Sequence, residues 1–207
     1  MDISHTQYLS FLFIPYLLFP SGVCIFLNTR NATLFMKRFC YFASFFIIVY
    51  FNLFAITVPF LKAQHLFLII FLPIITIFLE IFLSFLFNKK FPVFFIGTDN
   101  YNMSYFIAIV FMAIAEEYIF RLLIFDFFLE KLQCNLLFVM LLSSFAYGFN
   151  HIHFGFTIFI SKFLIGIIYF LVFFIFKDFY CVVLIHVLSN IIVFGLSFLQ
   201  IKGKLCF

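Results

Sequence analysis

The chain has 207 residues, of which 67% are hydrophobic and 10% charged, with 42 phenylalanines, no tryptophan and a formal net charge of +4. Soluble domains hold roughly 45–50% apolar residues, so this composition, with a mean hydropathy of +1.28, excludes a soluble globular domain and describes an integral membrane protein. The cations are scattered at the ends of apolar segments and form no basic domain, which excludes nucleic acid as a partner and leaves the lipid bilayer as the surroundings.

Taken in chain order, apolar segments of about 20 residues, the length needed for a hydrocarbon core of roughly 30 Å, recur about seven times. The first three run over residues 8–27, 39–59 and 66–87. Asp2 and the lack of a basic stretch before the first argue against a cleaved signal peptide, so that segment is expected to be retained. Residues 91–104, with Pro92, Gly97 and the turn-prone run Thr98, Asp99, Asn100, read as a short interfacial or re-entrant piece. Four further segments follow at 105–128, 135–154, 157–176 and 179–199. The predicted fold is therefore all-α, a polytopic transmembrane helical bundle of about seven spans.

Loop charge sets the expected orientation in the cell membrane. With the N-terminus outside, the inner loops and C-terminus hold Arg30, Lys37, Arg38, Lys89, Lys90, Lys202 and Lys204, and the outer loops hold Lys62, Lys131 and Lys177. That asymmetry predicts the N-terminus outside and the C-terminus in the cytoplasm. Arg121 and Lys162 fall inside spans. Cys24, Cys40, Cys134, Cys181 and Cys206 have no C-x-x-C spacing and read as small buried hydrophobes. Phosphate-loop, zincin and nucleophile-elbow motifs are absent from the sequence.

Chemistry concentrates in the second half. Glu116 and Glu117 lie mid-segment, where a charge costs roughly 2.5–3.5 kcal/mol on insertion scales, so they form a functional-site hypothesis by default. Glu117 and Arg121 are one turn apart in the favourable order for a helical ion pair. Glu116 points about 100° away, desolvated and repelled by its neighbour, and is the candidate base. As a buried ion pair joining helices, the group would explain Glu117 and Arg121 but give Glu116 no purpose. A second group, Ser143, Ser144, Tyr147, Asn150, His151 and His153, places Tyr147 and His151 one turn apart, and Gly148 permits a close backbone approach. His153 lies nearer the loop and takes the interfacial role. In the third group His186 and Asn190 share a face of an oily segment, beside Ser189; alone they would serve as interhelical hydrogen bonding. Together the three groups supply a carboxylate and imidazole to deprotonate water and further donors for an oxyanion.

The pattern Glu116-Glu117-x-x-x-Arg121, then Tyr147-x-x-x-His151, then His186-x-x-x-Asn190 resembles the three signatures of the CPBP family, the CaaX proteases and bacteriocin-processing enzymes, also called the Abi family. Ser143-Ser144 and the segment around Phe163 and Gly166 look similar too, while Tyr147 stands where the family usually has Phe. The resemblance implies a variable N-terminal transmembrane region over residues 1–104, a catalytic helical core over 105–200 and a short tail at 201–207. It implies an intramembrane endopeptidase acting on a hydrophobic or lipidated peptide or protein in the membrane, and it allows either prenylated C-terminal peptides or leader peptides in bacteriocin processing or self-immunity. Carried over by position, Glu116 and His151 activate water, His186 and Asn190 stabilise the oxyanion, and Glu117 with Arg121 orients Glu116. No cofactor is required on this reading; the alternative is a zinc held by Glu116, His151 and His186, which would fill the three protein positions of a catalytic site. Two competitors come from other classes. One is a non-catalytic immunity or binding protein that sequesters a toxin or partner. The other is a proton-coupled carrier, disfavoured because ionisable residues gather in one half and no repeat is evident.

Ideal helices pose one difficulty. They put His151 near the inner end of its span, Glu116 near the middle and His186 in the outer half, so a compact site needs tilted, broken or shifted segments.

Overall fold

The computed structural model describes residues 65–89 and 103–201. The expected spans at 8–27 and 39–59, the 91–104 piece up to residue 102, and Cys24, Cys40 and Cys206 lie outside the described residues. Five α-helices run through the rest: α1 Leu66–Asn88, α2 Met103–Glu117, α3 Leu136–Phe149, α4 Phe156–Phe176 and α5 Phe179–Ile201. Among the described residues every element is helical. Helices α1, α4 and α5 are each long and apolar enough to cross a membrane, which makes this a multi-pass membrane protein by length and composition.

Local chemistry explains where the helices stop. Lys89 and Lys177 end α1 and α4 in the left-handed conformation, at φ 52° and 50°, and each returns its N–H to the carbonyl four residues back, Phe85 and Phe173. A cation there also complements the negative helix end. Burial pushes the Lys177 ammonium below the usual lysine range, against an opposing pull from Glu130. Asn135 caps α3, its side-chain oxygen accepting from Leu137 N at 2.8 Å. Asp178 does the same for α5, accepting from Cys181 N at 3.0 Å.

Asp178 also pairs with His65 at 2.6 Å, both buried, and so ties the start of α5 to the start of α1. Eleven residues further along each helix, the Thr76 and Ser189 hydroxyls meet at 3.3 Å. The two contacts share one sequence separation of 113, so α1 and α5 run parallel and in step. Helix α2 runs against α5, with Tyr118 on Phe179 at one end and Phe106 on Phe194 at the other. Helix α4 runs against α1, where Thr157 near its start bonds Asn88 at the end of α1. Close approach of α3 and α4 depends on Gly148, as its permissive character suggested: an added Cβ would lie 2.9 Å from Phe159 O and 3.0 Å from Phe163 N.

Two expected spans differ in form. The 105–128 segment is α2 followed by π-helical turns, Tyr118–Leu123 and Phe125–Lys131, that begin at the residue after Glu117. Wider turns of this kind recur at functional sites because they swing side chains off the α-helical face. The 135–154 segment becomes a 14-residue helix and a 3-10 turn, Ile152–Phe154. Gly155 then reverses the chain at φ 115°, a region that excludes ordinary side chains.

Candidate active site

The last turn of α2 delivers Glu116 and Glu117, both buried, at 4% and 0% exposure. Glu117 uses both oxygens: Oε1 lies 2.7 Å from His186 Nδ1, and Oε2 lies 3.1 Å from Arg121 Nε. The i, i+4 pairing read from the sequence is therefore present, although the helix widens between its members. Arg121 is wholly buried. Its Nη2 donates to Gly166 O at 3.4 Å, and its guanidinium lies over the rings of Tyr147 at 4.9 Å and Tyr169 at 5.5 Å. Those π faces supply what is otherwise missing, since Nη1 is buried without a hydrogen-bond partner.

Glu116 faces elsewhere, as two adjacent helical positions must. Its Oε1 accepts from Asn150 Nδ2 at 3.1 Å, and its Oε2 lies 3.6 Å from His186 Nε2. The His186 ring thus stands between the two carboxylates, Glu117 at Nδ1 and Glu116 at Nε2. Tyr147 closes the arrangement, its hydroxyl 3.3 Å from the same Nε2. His151 hydrogen-bonds through Nδ1 to Tyr147 O at 2.9 Å. Because a carbonyl only accepts, Nδ1 carries the proton and Nε2 is the basic nitrogen.

Contact between α2, α3 and α5 removes the expected mismatch of depths. Helix α3 ends at Phe149, so its final turn, bearing Tyr147, meets α5 at His186. Asn150, the first residue after α3, reaches Glu116, and His151 follows it, its ring packed on Tyr147. Asn190, one turn beyond His186, lines a water-sized cavity of about 10 Å³ together with His186, Tyr147, Tyr169, Glu80 and Lys162. His153 lies in the 3-10 turn that follows.

Two partnerships differ from the positional assignment. Glu117 and Arg121 hold His186 and not Glu116; the group that holds Glu116 is Asn150, noted in the sequence only as part of the second polar cluster. The Tyr147 hydroxyl, read as a neutral departure, touches the central imidazole. Glu80 was legible by the rule that singles out Glu116, a carboxylate amid an apolar segment. The hydroxyls of Tyr169, Ser189 and Thr76, chained at 3.1 and 3.3 Å, gave no spacing signal, because each sits on a different helix.

A zinc site is not assembled. Among the described residues no three His, Cys, Asp or Glu side chains are arranged to hold a metal ion, so Glu116, His151 and His186 do not converge as a ligand set. The chemistry below runs through these side chains alone.

Residues 99–192 match the family model described as type II CAAX prenyl endopeptidase Rce1-like. The resemblance seen in the three motifs is borne out over that stretch, which contains Glu116, Glu117, Arg121, Tyr147, His151, His186 and Asn190. Among curated proteins and solved structures, none matches the chain.

Proposed function

We propose that this chain, whose residues 99–192 match a membrane CAAX-type protease family, is an intramembrane endopeptidase that hydrolyses a peptide bond through a glutamate-activated water. The observation that carries the reading is the placement of one imidazole between two buried carboxylates, 2.7 Å from Glu117 and 3.6 Å from Glu116. A structural bridge needs one carboxylate; here Glu117 is consumed by Arg121 and His186, and Glu116 is left for other work.

In the proposed reaction Glu116, held by Asn150, takes a proton from water with His151 at the adjacent turn. The water oxygen bonds to the scissile carbonyl carbon. His186 and Asn190 donate to the resulting oxyanion. Collapse breaks the C–N bond, and the proton taken from water passes to the leaving amine.

The substrate class we infer is a hydrophobic or lipidated peptide, because the site lies among helices long and apolar enough to cross a membrane, and a substrate that reaches it through the bilayer must itself be apolar. Processing of a bacteriocin-like product, or self-immunity to one, is the setting we infer. Mass spectrometry of membrane peptides from cells carrying the wild type or Glu116→Gln tests the activity. Peptide termini that appear only with the wild type support it, and identical peptide sets reject it.

A further inference from the structure

Apart from the Glu116–His186 cluster, the bundle holds another charged pair among its long apolar helices. Glu80 on α1 and Lys162 on α4 form an ion pair, and both line the cavity that His186 and Asn190 line. Neither takes part in the chemistry above. As a strap between two helices the pair is a poor device, since desolvating two charges costs more than packing apolar groups of the same size. Glu80 Oε1 is buried, and among the described residues its partner is Lys162 Nζ alone. Lys162 is the more accessible partner, with its side chain 18% exposed against 6% for Glu80. An ammonium has three donors on a flexible stem, so Glu80 does not exhaust it. The Tyr169 hydroxyl on the same wall can donate to the Glu80 carboxylate if it moves, while the Ser189 and Thr76 hydroxyls already donate to Ile185 O and Pro73 O.

We propose that Lys162 binds a carboxylate of the substrate peptide, with Glu80 as its counter-ion between substrates. A cation in a low-dielectric cavity selects an anion, and the anions a peptide brings are its C-terminal carboxylate or an acidic side chain near the scissile bond. The proposal rests on the reading of this cavity as part of a peptide-cleaving site, but binding is measurable apart from cleavage.

The test uses the full chain carrying Glu116→Gln in lipid nanodiscs, titrated with a fluorescent apolar hexapeptide in three forms: free acid, C-terminal amide, and amide with one internal Asp. One of the two charged forms is expected to bind about 10- to 100-fold more tightly than the neutral amide, and the form that does so identifies the carboxylate. The preference should persist in Lys162→Arg. It should vanish in the double variant Lys162→Met, Glu80→Gln, which leaves neither charge unpaired. Equal affinities for the three peptides, or a preference that survives the double variant, overturns the proposal. Cleavage is assayed separately with Glu116 intact, so a chain that binds carboxylates without cutting refutes the protease reading alone.

Discussion

His186 Nδ1 lies 2.7 Å from Glu117 Oε1 across 69 residues of chain, while the other oxygen of Glu117 lies 3.1 Å from Arg121 Nε. One fully buried carboxylate thus joins a guanidinium on its own helix to an imidazole on α5. Removing it leaves Arg121 buried without its countercharge, a loss of about 3–5 kcal/mol for a pair of this kind. Glu117→Ala is therefore expected to lower the unfolding midpoint in detergent sharply. A midpoint equal to that of the wild type would show that the ion pair does not hold the bundle.

Glu116→Gln is expected to behave in the opposite way. The amide keeps the shape and a hydrogen bond to Asn150, so stability should change little. Loss of the base should lower cleavage by about 10²- to 10⁴-fold. A purified variant with unchanged turnover would remove Glu116 from the proposed mechanism.

Tyr147→Phe deletes one hydroxyl and preserves the ring that packs on Arg121, Phe120 and His186. The lost hydrogen bond to His186 is worth about 1 kcal/mol, which predicts a fall in kcat of roughly fivefold and an intact fold. His186→Ala removes the bridging group itself and should abolish cleavage. Equal losses in the two variants would mean that the hydroxyl, more than its ring, positions His186.

Gly148→Ala tests the approach of α3 to α4. The new methyl would meet backbone, Phe159 O at 2.9 Å and Phe163 N at 3.0 Å, and backbone cannot rotate away as a side chain can. A destabilisation of about 1–3 kcal/mol is expected, read as a lower midpoint in detergent. Activity should fall with it, since a shift of α3 moves Tyr147 and His151 together.

The proposed orientation is open to a direct check. Lys89→Cys, in a chain whose native cysteines are replaced, should resist an impermeant thiol reagent in intact cells and react after permeabilisation. Labelling in intact cells would invert the topology, because the loop after α1 would then face outward.

Periodicity and length decided much of this molecule before folding is considered. Three apolar runs coincide with α1, α4 and α5 because a 20-residue hydrophobic stretch in lipid must close its own backbone hydrogen bonds as a helix. Spacing of four residues aligned Glu117 with Arg121 and His186 with Asn190 through the 3.6-residue period alone. What the period cannot decide is partnership between helices. Glu116 and Glu117 are adjacent and point about 100° apart, so either could have met His186 at Nδ1; the position of α5 against α2 assigned that atom to Glu117 and gave Glu116 to Asn150. Depth was equally hidden, because it depends on where α3 stops, and that stop is made by a turn ending in Gly155 and not by hydrophobicity. Glu80 and Lys162 are each the lone charge of their apolar segments, 66–87 and 157–176. Their pairing, 82 positions apart in the sequence, came into being when antiparallel packing of α1 and α4 brought the two side chains to one level, where each is the countercharge that low-dielectric burial demands.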